Sequence, residues 1–505
     1  MTGHDDGGRV PRTLPEVVVH WASVAPNSIA LVHGDVELTY AELQERCNQV
    51  AGYFDRIGVR PGDRIVVLSD NSLGWVLAFL AGLRLGAIVS PANNRLNASQ
   101  FAHQCDLLDA RLIVHDMAYD DLAQHADRTR IRLEELEEPL VGTSLDPVHP
   151  WPSPDSDALV SFTSGTTGVP KGAVLSHTAL VKAAQAIAEC VQVISSDSTL
   201  VLVPLFHNTG FVDQLGAMLT VGGSTHLLRT YRTADAIAEL TRKPVTYLTA
   251  VPSILRLLMV ADEADALFSE ARAVLFGGSP MPSAWSEELL RRWPHLQLVH
   301  GYGLTEFTSG CTTLPPDLIT THGESVGVAV PGVTVQVTTD DGRRADVGET
   351  GEVWVMGPTR MSRYWEQPDL TARKIRGPWL LTGDLGYLDD AGLLWLTGRV
   401  DDVINRGGEK VLPAHVESKI AAIAAVAEAT VFAVPDEVLQ NRVAVALTLR
   451  NGHDFDIETA RASLHDHLPD YAVPERWIVY DELPRTGSGK SDRRAIARDY
   501  LERQQ

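Results

Sequence analysis

Short runs of apolar, β-branched residues recur along the chain: RIVVLSD, AIVSPAN, RLIVHD, LVSFTSG, TLVLVPLF, VTYLTAVPS, AVLFGGS and LQLVHGYG. Between many of them lie stretches with helical spacing, such as LGWVLAFLAGLRLG and HTALVKAAQAIAECV. Strands alternating with helices predict α/β architecture with largely parallel sheets. In such sheets ligands bind outside the carboxyl ends of the strands, where the loops gather. Several glycine-rich segments follow a predicted strand, which puts them at that edge. The Pro/Asp/Ser-rich stretch from Ser144 to Asp157 reads as a surface connection. After LTGRVDDVINRGG the pattern changes to EATVFAVPD, RVAVALTLRNG and ERWIVYDEL around two helical stretches, a small α+β unit of about 100 residues.

The length of 505 residues exceeds what one ordinary core supports, so at least two domains are expected. Acidic residues number 65 against 43 basic ones, a formal charge of -22. That balance argues against nucleic acid or an anionic membrane as the main partner. An anionic substrate would need local cations or a metal to overcome the global field. Cys47, Cys105, Cys190 and Cys311 form no C-x-x-C pair, so reduced thiols in a cytoplasm are the plain reading. The polar start MTGHDDGGRVP is no signal peptide, and no apolar run reaches the roughly 18 residues of a membrane helix.

The chemistry gathers in five stretches. TSGTTGVPKG, from Thr163 to Gly172, holds three glycines, four hydroxyl residues and Lys171. Backbone N–H groups and hydroxyls of such a turn can wrap a polyphosphate, and Gly165 and Gly168 let the backbone approach closely. A Walker loop is excluded, because Pro170 precedes Lys171 and Gly172 follows it. GYGLTE (Gly301 to Glu306) ends in a hydroxyl and a carboxylate; beside a triphosphate that carboxylate suits Mg²⁺. WLLTGDLGYL offers Asp384 to ribose hydroxyls, GRVDDVINRGGEK supplies Arg399 and two carboxylates, and PRTGSGKSDRR sets Lys490 in a Gly/Ser loop near the chain end. Alone, each is as readily an ordinary turn, linker or solvated residue.

In this order and spacing the five stretches resemble the adenylate-forming superfamily of acyl-CoA synthetases, luciferases and peptide-synthetase adenylation domains, over the span from about Trp21 to the end. The resemblance implies an α/β fold. It has a large N-terminal domain of α/β subdomains with largely parallel sheets plus a β-rich subdomain, and a small mobile α+β C-terminal domain. The expected boundaries are a flexible tail at 1–12, the large domain with ATP and acyl pocket at 13–398, a hinge at 399–402, and the small domain at 403–505. It implies ATP, Mg²⁺ and coenzyme A as cofactors: a carboxylate attacks the α-phosphate, pyrophosphate leaves, and a thiol then displaces AMP from the acyl-adenylate.

By the same resemblance Thr163, Ser164, Gly165, Thr166, Thr167, Gly168 and Lys171 hold the phosphates. Gly277, Gly278 and Ser279 form part of the base pocket, Tyr302 stacks on adenine beside Gly303, and Asp384 holds the ribose with Arg399 nearby. Lys490 bridges the carboxylate and the α-phosphate, Thr305 touches that phosphate, and Glu306 holds the metal. His207 stands beside the acyl pocket and clears a path for pantetheine. Asp401 is the hinge, and Gly408 approaches the pantetheine tunnel.

Gly210, Gly301 and Gly303 are expected to leave room in the acyl pocket, where acetate-type members carry tryptophan against GYG. A medium or bulky hydrophobic, aromatic or polycyclic acid is therefore expected. Three departures stand out: Arg363 where glycine is usual, Leu381 for a polar residue before TGD, and Gln440-Asn441 for Gly-Glu near the CoA path. Two alternatives remain. The same fold could perform one half-reaction, with a carrier protein or a companion adenylating enzyme as partner, or it could be a non-enzymatic adenylate binder. A homodimer is only a family-level expectation.

Overall fold

The computed structural model describes residues 10–146, 149–163, 170–279, 281–450, 452, 455–465, 467–485 and 491–503. The chain packs as two compact units, residues 1–335 with 355–380, and residues 336–354 with 381–505.

In the first unit the apolar runs become strands. Nine form one sheet, whose centre is parallel in the order Gln297–Gly303, Ala273–Gly277, Tyr247–Ala250, Ser198–Val201, Ser224–Leu227, Ile29–His33. A seven-stranded sheet runs Arg363–Tyr364, Lys171–Ser176, Asp157–Thr163, Ile88–Pro91, Arg64–Leu68, Leu112–His115, Thr129–Arg132, parallel from the third strand onward. The alternating strand and helix pattern is thus realised as expected.

The two helices named from spacing also form. Ser72 caps Leu73–Leu85 by accepting from Trp75 N, and Gly86 closes it at φ 79. That helix is apolar save for Arg84, which donates to His149 O and Pro150 O, and every one of its residues is buried. Ser176 caps His177–Val191 in the same manner.

The second unit contains the hairpin Val426–Asp436 and Gln440–Leu449, with Arg476–Val479 parallel to the latter. Its residues split by parity. Val431, Val443, Val445 and Leu447 pack against Val416, Ile420 and Leu464 on one face, while Phe432, Ala444 and Ala446 meet Ile496 and Tyr500 on the other. Period-two alternation with both faces apolar buries a sheet between helices. The antiparallel strands Trp379–Leu388 and Leu394–Arg399 supply β structure ahead of this α+β region. No described helix is long and apolar enough to cross a membrane.

Candidate active site

Asp157–Thr163 ends on the first residue of the glycine-rich motif, and the chain returns antiparallel with Lys171 opposite Thr163. Ser164, Gly165, Thr166, Thr167 and Gly168 lie outside the described residues. Half-buried Lys171 begins the return strand. The segment from Arg363 runs along that strand, Trp365 N donating to Gly172 O at 2.7 Å and Gln367 Nε2 to Pro170 O at 3.3 Å.

The carboxyl ends of two neighbouring parallel strands in the larger sheet bring Gly277 opposite Gly301. Gly278 and Ser279 follow, exposed, on one strand, and half-buried Tyr302 and exposed Gly303 on the other. This is the strand edge at which α/β sheets bind ligands. The chain then makes a 3-10 turn over Thr305–Phe307. Glu306 is held at side chain and backbone: Tyr364 Oη donates to its carboxylate Oε1 at 2.7 Å, and Met361 N donates to its main-chain carbonyl O at 2.8 Å. Glu306 Oε2 accepts from no described residue. One oriented carboxylate with an oxygen to spare fits Mg²⁺, which takes one or two protein carboxylates and fills its remaining positions with phosphate and water.

A polar network lies behind these motifs. Ser161, near the end of the strand before the phosphate motif, donates through Oγ to Asn208 Oδ1 at 2.8 Å, and Asn208 Nδ2 donates to Thr308 O. Thr308 adopts φ 67 and ψ -45, a strained conformation for a side-chain-bearing residue, and its Oγ1 donates to Thr359 O at 2.6 Å. Ser309 Oγ donates to Asp213 Oδ1. Sequence reasoning missed Tyr364, Ser161, Asn208, Thr308, Asp213 and Ser309. Their bonds join positions about 50 to 100 residues apart, save the 161–208 pair at 47, and no local periodicity marks them.

His207 is exposed, yet desolvation by the surrounding protein and the Arg95 guanidinium lower its pKa to about 4. It is therefore neutral at physiological pH. Phe206 lies against it, ring centroids 4.4 Å apart. A π-helix, Thr209–Gly216, follows immediately.

The glycines expected to open the acyl pocket have another explanation. A Cβ on Gly303 would stand 2.0 Å from Ser309 O, and one on Gly210 2.7 Å from Pro204 O. Both residues lack a side chain because backbone packs against them, so pocket volume is not needed to account for them. At Gly301 a Cβ would meet only Leu275 Cδ1, at 3.3 Å, and Phe276 O, at 3.8 Å.

In the second unit Asp384 pairs across the hairpin with Arg399, Nε to Oδ1 3.5 Å, with the aspartate side chain 15% exposed and the arginine 50%. Gly383, at φ 79, turns the chain just before Asp384, whose N donates to Thr382 Oγ1 at 3.0 Å. Asp401 is exposed on the 3-10 turn Val400–Asp402, and its neighbour Asp402 pairs with Arg493. Gly408, at φ 96, lies in the tight turn between Ile404–Arg406 and Glu409–Val411. Lys490 lies outside the described residues.

The departures acquire physical content. Arg363 is an ordinary strand residue bonded twice to Asp157, at 3.1 and 2.7 Å. Leu381 is buried. Gln440 takes φ 65, the left-handed conformation that a glycine adopts without strain.

Comparison with known proteins agrees with this layout. The AMP-binding enzyme family matches residues 18–365, and the AMP-binding enzyme C-terminal domain matches 415–490. A feruloyl-CoA synthase of Amycolatopsis sp. is 30% identical over 481 residues, covering 94% of this chain and 96% of its own length. A 2-succinylbenzoate–CoA ligase of Geobacillus sp. (strain WCH70) is 30% identical over 483 residues, covering 95% and 96%. The o-succinylbenzoate CoA synthetase of Bacillus subtilis, solved with its acyl-adenylate intermediate OSB-AMP, superposes with TM-score 0.85 at 28% identity over 95% of this chain and 98% of its own. The same enzyme, solved with ATP and magnesium ion, gives TM-score 0.84 at 28% identity, covering 94% and 98%. The chain belongs to the AMP-binding enzyme family, in the AMP-forming acid–CoA ligase branch of the adenylate-forming superfamily, which works with ATP, Mg²⁺ and CoA.

Proposed function

We propose that the chain activates a medium or bulky hydrophobic, aromatic or polycyclic carboxylic acid as its acyl-adenylate and transfers the acyl group to CoA. The observation that carries this reading is the Tyr364–Glu306 hydrogen bond. It ties the carboxylate of the Gly-Tyr-Gly-Leu-Thr-Glu turn to the strand lying along Lys171–Ser176, so a metal ligand and the closing strand of the phosphate loop are fixed together.

Bound Mg²⁺ would neutralise phosphate charge as the two anions approach. The protein's own groups do the rest. Glu306 is oriented by Tyr364 to present its second oxygen. Thr305 and Lys490 stabilise charge at the α-phosphate, and removing one such preorganised donor costs roughly 10²–10³ in rate. Asp384 and Arg399 receive the ribose. Neutral His207 beside the acyl site carries no charge to compete for the substrate carboxylate. The two half-reactions alternate by rotation about Asp401, which withdraws Lys490 and brings Gly408 toward pantetheine. None of the four cysteines is in a disulfide and three are buried, which fits a reducing cytoplasm.

The test is product analysis with ATP, CoA and a panel of such acids. One AMP, one pyrophosphate and one acyl-CoA per acid consumed is the expected outcome. ADP and phosphate in their place, or no turnover with any acid, would overturn the reading.

A further inference from the structure

We infer that Asn208 is a positioning residue for the adenylation step: its buried amide locks the turn Thr305–Phe307, which carries Glu306, to the strand that leads into the phosphate loop. The inference rests on the ligase reading above and adds a residue to its machinery.

The two halves of the site belong to different sheets. Thr163 ends a strand of the seven-stranded sheet, whereas the turn with Thr305 and Glu306 follows a strand of the nine-stranded one. Phosphoryl chemistry needs the halves in register, since a misplacement of about 1 Å can cost on the order of 10²-fold in rate. Ser161, Ala173 and Tyr364 stand opposite one another on three adjacent strands, so their side chains share one face of the seven-stranded sheet. Tyr364 reaches the turn directly, at Glu306 Oε1. Ser161 reaches it through Asn208: Ser161 Oγ donates to Asn208 Oδ1 at 2.8 Å, and Asn208 Nδ2 donates to Thr308 O. Thr308 N in turn donates to Thr305 O at 3.0 Å. The turn is therefore tied to one row of the sheet at two points, Glu306 and Thr308. A single tie sets a distance; the second sets the direction in which Thr305 and Glu306 face.

The link calls for an acceptor and a donor side by side on a short side chain. An amide supplies both, whereas an ionised carboxylate only accepts. Ser161 is 4% exposed, Asn208 9%, and Thr308 is fully buried, so a broken bond here leaves polar groups unmet rather than returned to bulk water. Thr308 holds its strained φ 67 and ψ -45 between this amide and the bond from its own Oγ1 to Thr359 O. Such strain persists only where the surroundings over-determine it.

The experiment runs the two half-reactions separately on Asn208→Asp at pH 8, with the denaturation midpoint as the control for folding. The variant keeps the shape of the side chain and its acceptor for Ser161, but sets a carboxylate oxygen against Thr308 O. ATP–pyrophosphate exchange should lose about 10- to 100-fold in kcat. CoA thioester formation from supplied acyl-adenylate should change far less, because that step uses neither the phosphate loop nor the metal. Ser161→Ala leaves the Thr308 bond in place and should show the same split at smaller size; it decides the matter if Asn208→Asp does not fold. Unchanged exchange in either folded variant, or equal losses in the two half-reactions, overturns the inference and leaves the ligase reading standing. No exchange with any acid in the unaltered enzyme overturns the ligase reading itself.

Discussion

Replacing Tyr364 by phenylalanine removes one oxygen from the best-defined contact of the site. Tyr364 is 2% exposed, and its strand is held through the backbone by Thr371 Oγ1 at 2.9 Å and by pairing with Ala173, so the ring stays packed in the variant. What is lost is the 2.7 Å donor to Glu306 Oε1. A hydrogen bond to a charged group contributes about 1.5–3 kcal/mol, and each 1.4 kcal/mol or so is tenfold in rate. If Glu306 presents the metal to the triphosphate, Tyr364→Phe should lower kcat/KM for adenylation by about 10- to 150-fold and raise the Mg²⁺ concentration needed for half-maximal rate. Thioester formation from a supplied acyl-adenylate should change little, because no triphosphate is present in that step. The assay pairs pyrophosphate exchange across a Mg²⁺ titration with CoA thioester formation from synthetic adenylate. Exchange within twofold of the unaltered enzyme at limiting Mg²⁺, or equal loss in both assays, would refute the assignment of Glu306.

Lys490→Ala should abolish adenylate formation and largely spare thioester formation from supplied adenylate; equal loss of both would show the lysine to be misassigned. Gly303→Ala drives a Cβ to 2.0 Å from Ser309 O and should destabilise by about 1–3 kcal/mol, read as a lower denaturation midpoint; an unchanged midpoint would contradict the close packing. His177 has no exposed surface and neither ring nitrogen finds a partner among the described residues; burial lowers its pKa to about 4. The unfolded chain therefore takes up this proton first on acidification. The histidine leaves stability untouched above about pH 6.5 and costs on the order of 3 kcal/mol by pH 4. Urea unfolding at pH 7 and 4.5 should show a smaller acid loss in His177→Leu than in the unaltered chain, and equal losses would refute the burial argument.

Many strands and the helices Leu73–Leu85 and His177–Val191 of the first unit were legible because apolar runs and helical spacing are local signals. The parity split at Val431/Phe432 and Val443/Ala444 is equally local. The motifs were legible as an ordered set, and their position after predicted strands put several of them at the strand edge. What the sequence did not show is what holds the motifs in place. Tyr364 was passed over beside the more unusual Arg363, and Asp213 stands among apolar residues with nothing nearby in the chain to mark it. The glycines are ambiguous in a specific way: an absent side chain looks the same in sequence whether it makes room for a ligand or, as at Gly303, for Ser309 O. Arg363 and Gln440 read as departures from glycine, yet one sits in plain strand geometry with a carboxylate partner and the other keeps the left-handed backbone.

The measurement that bears most directly on the central claim is the two half-reactions run separately over a panel of carboxylic acids, one arm following ATP–pyrophosphate exchange and the other CoA thioester formation from synthetic acyl-adenylates. The account predicts activity in both arms with the same acids. Thioester formation without exchange, on a panel that includes the matching free acid, would contradict it: the chain would then serve only the second step, with its adenylate made by another enzyme.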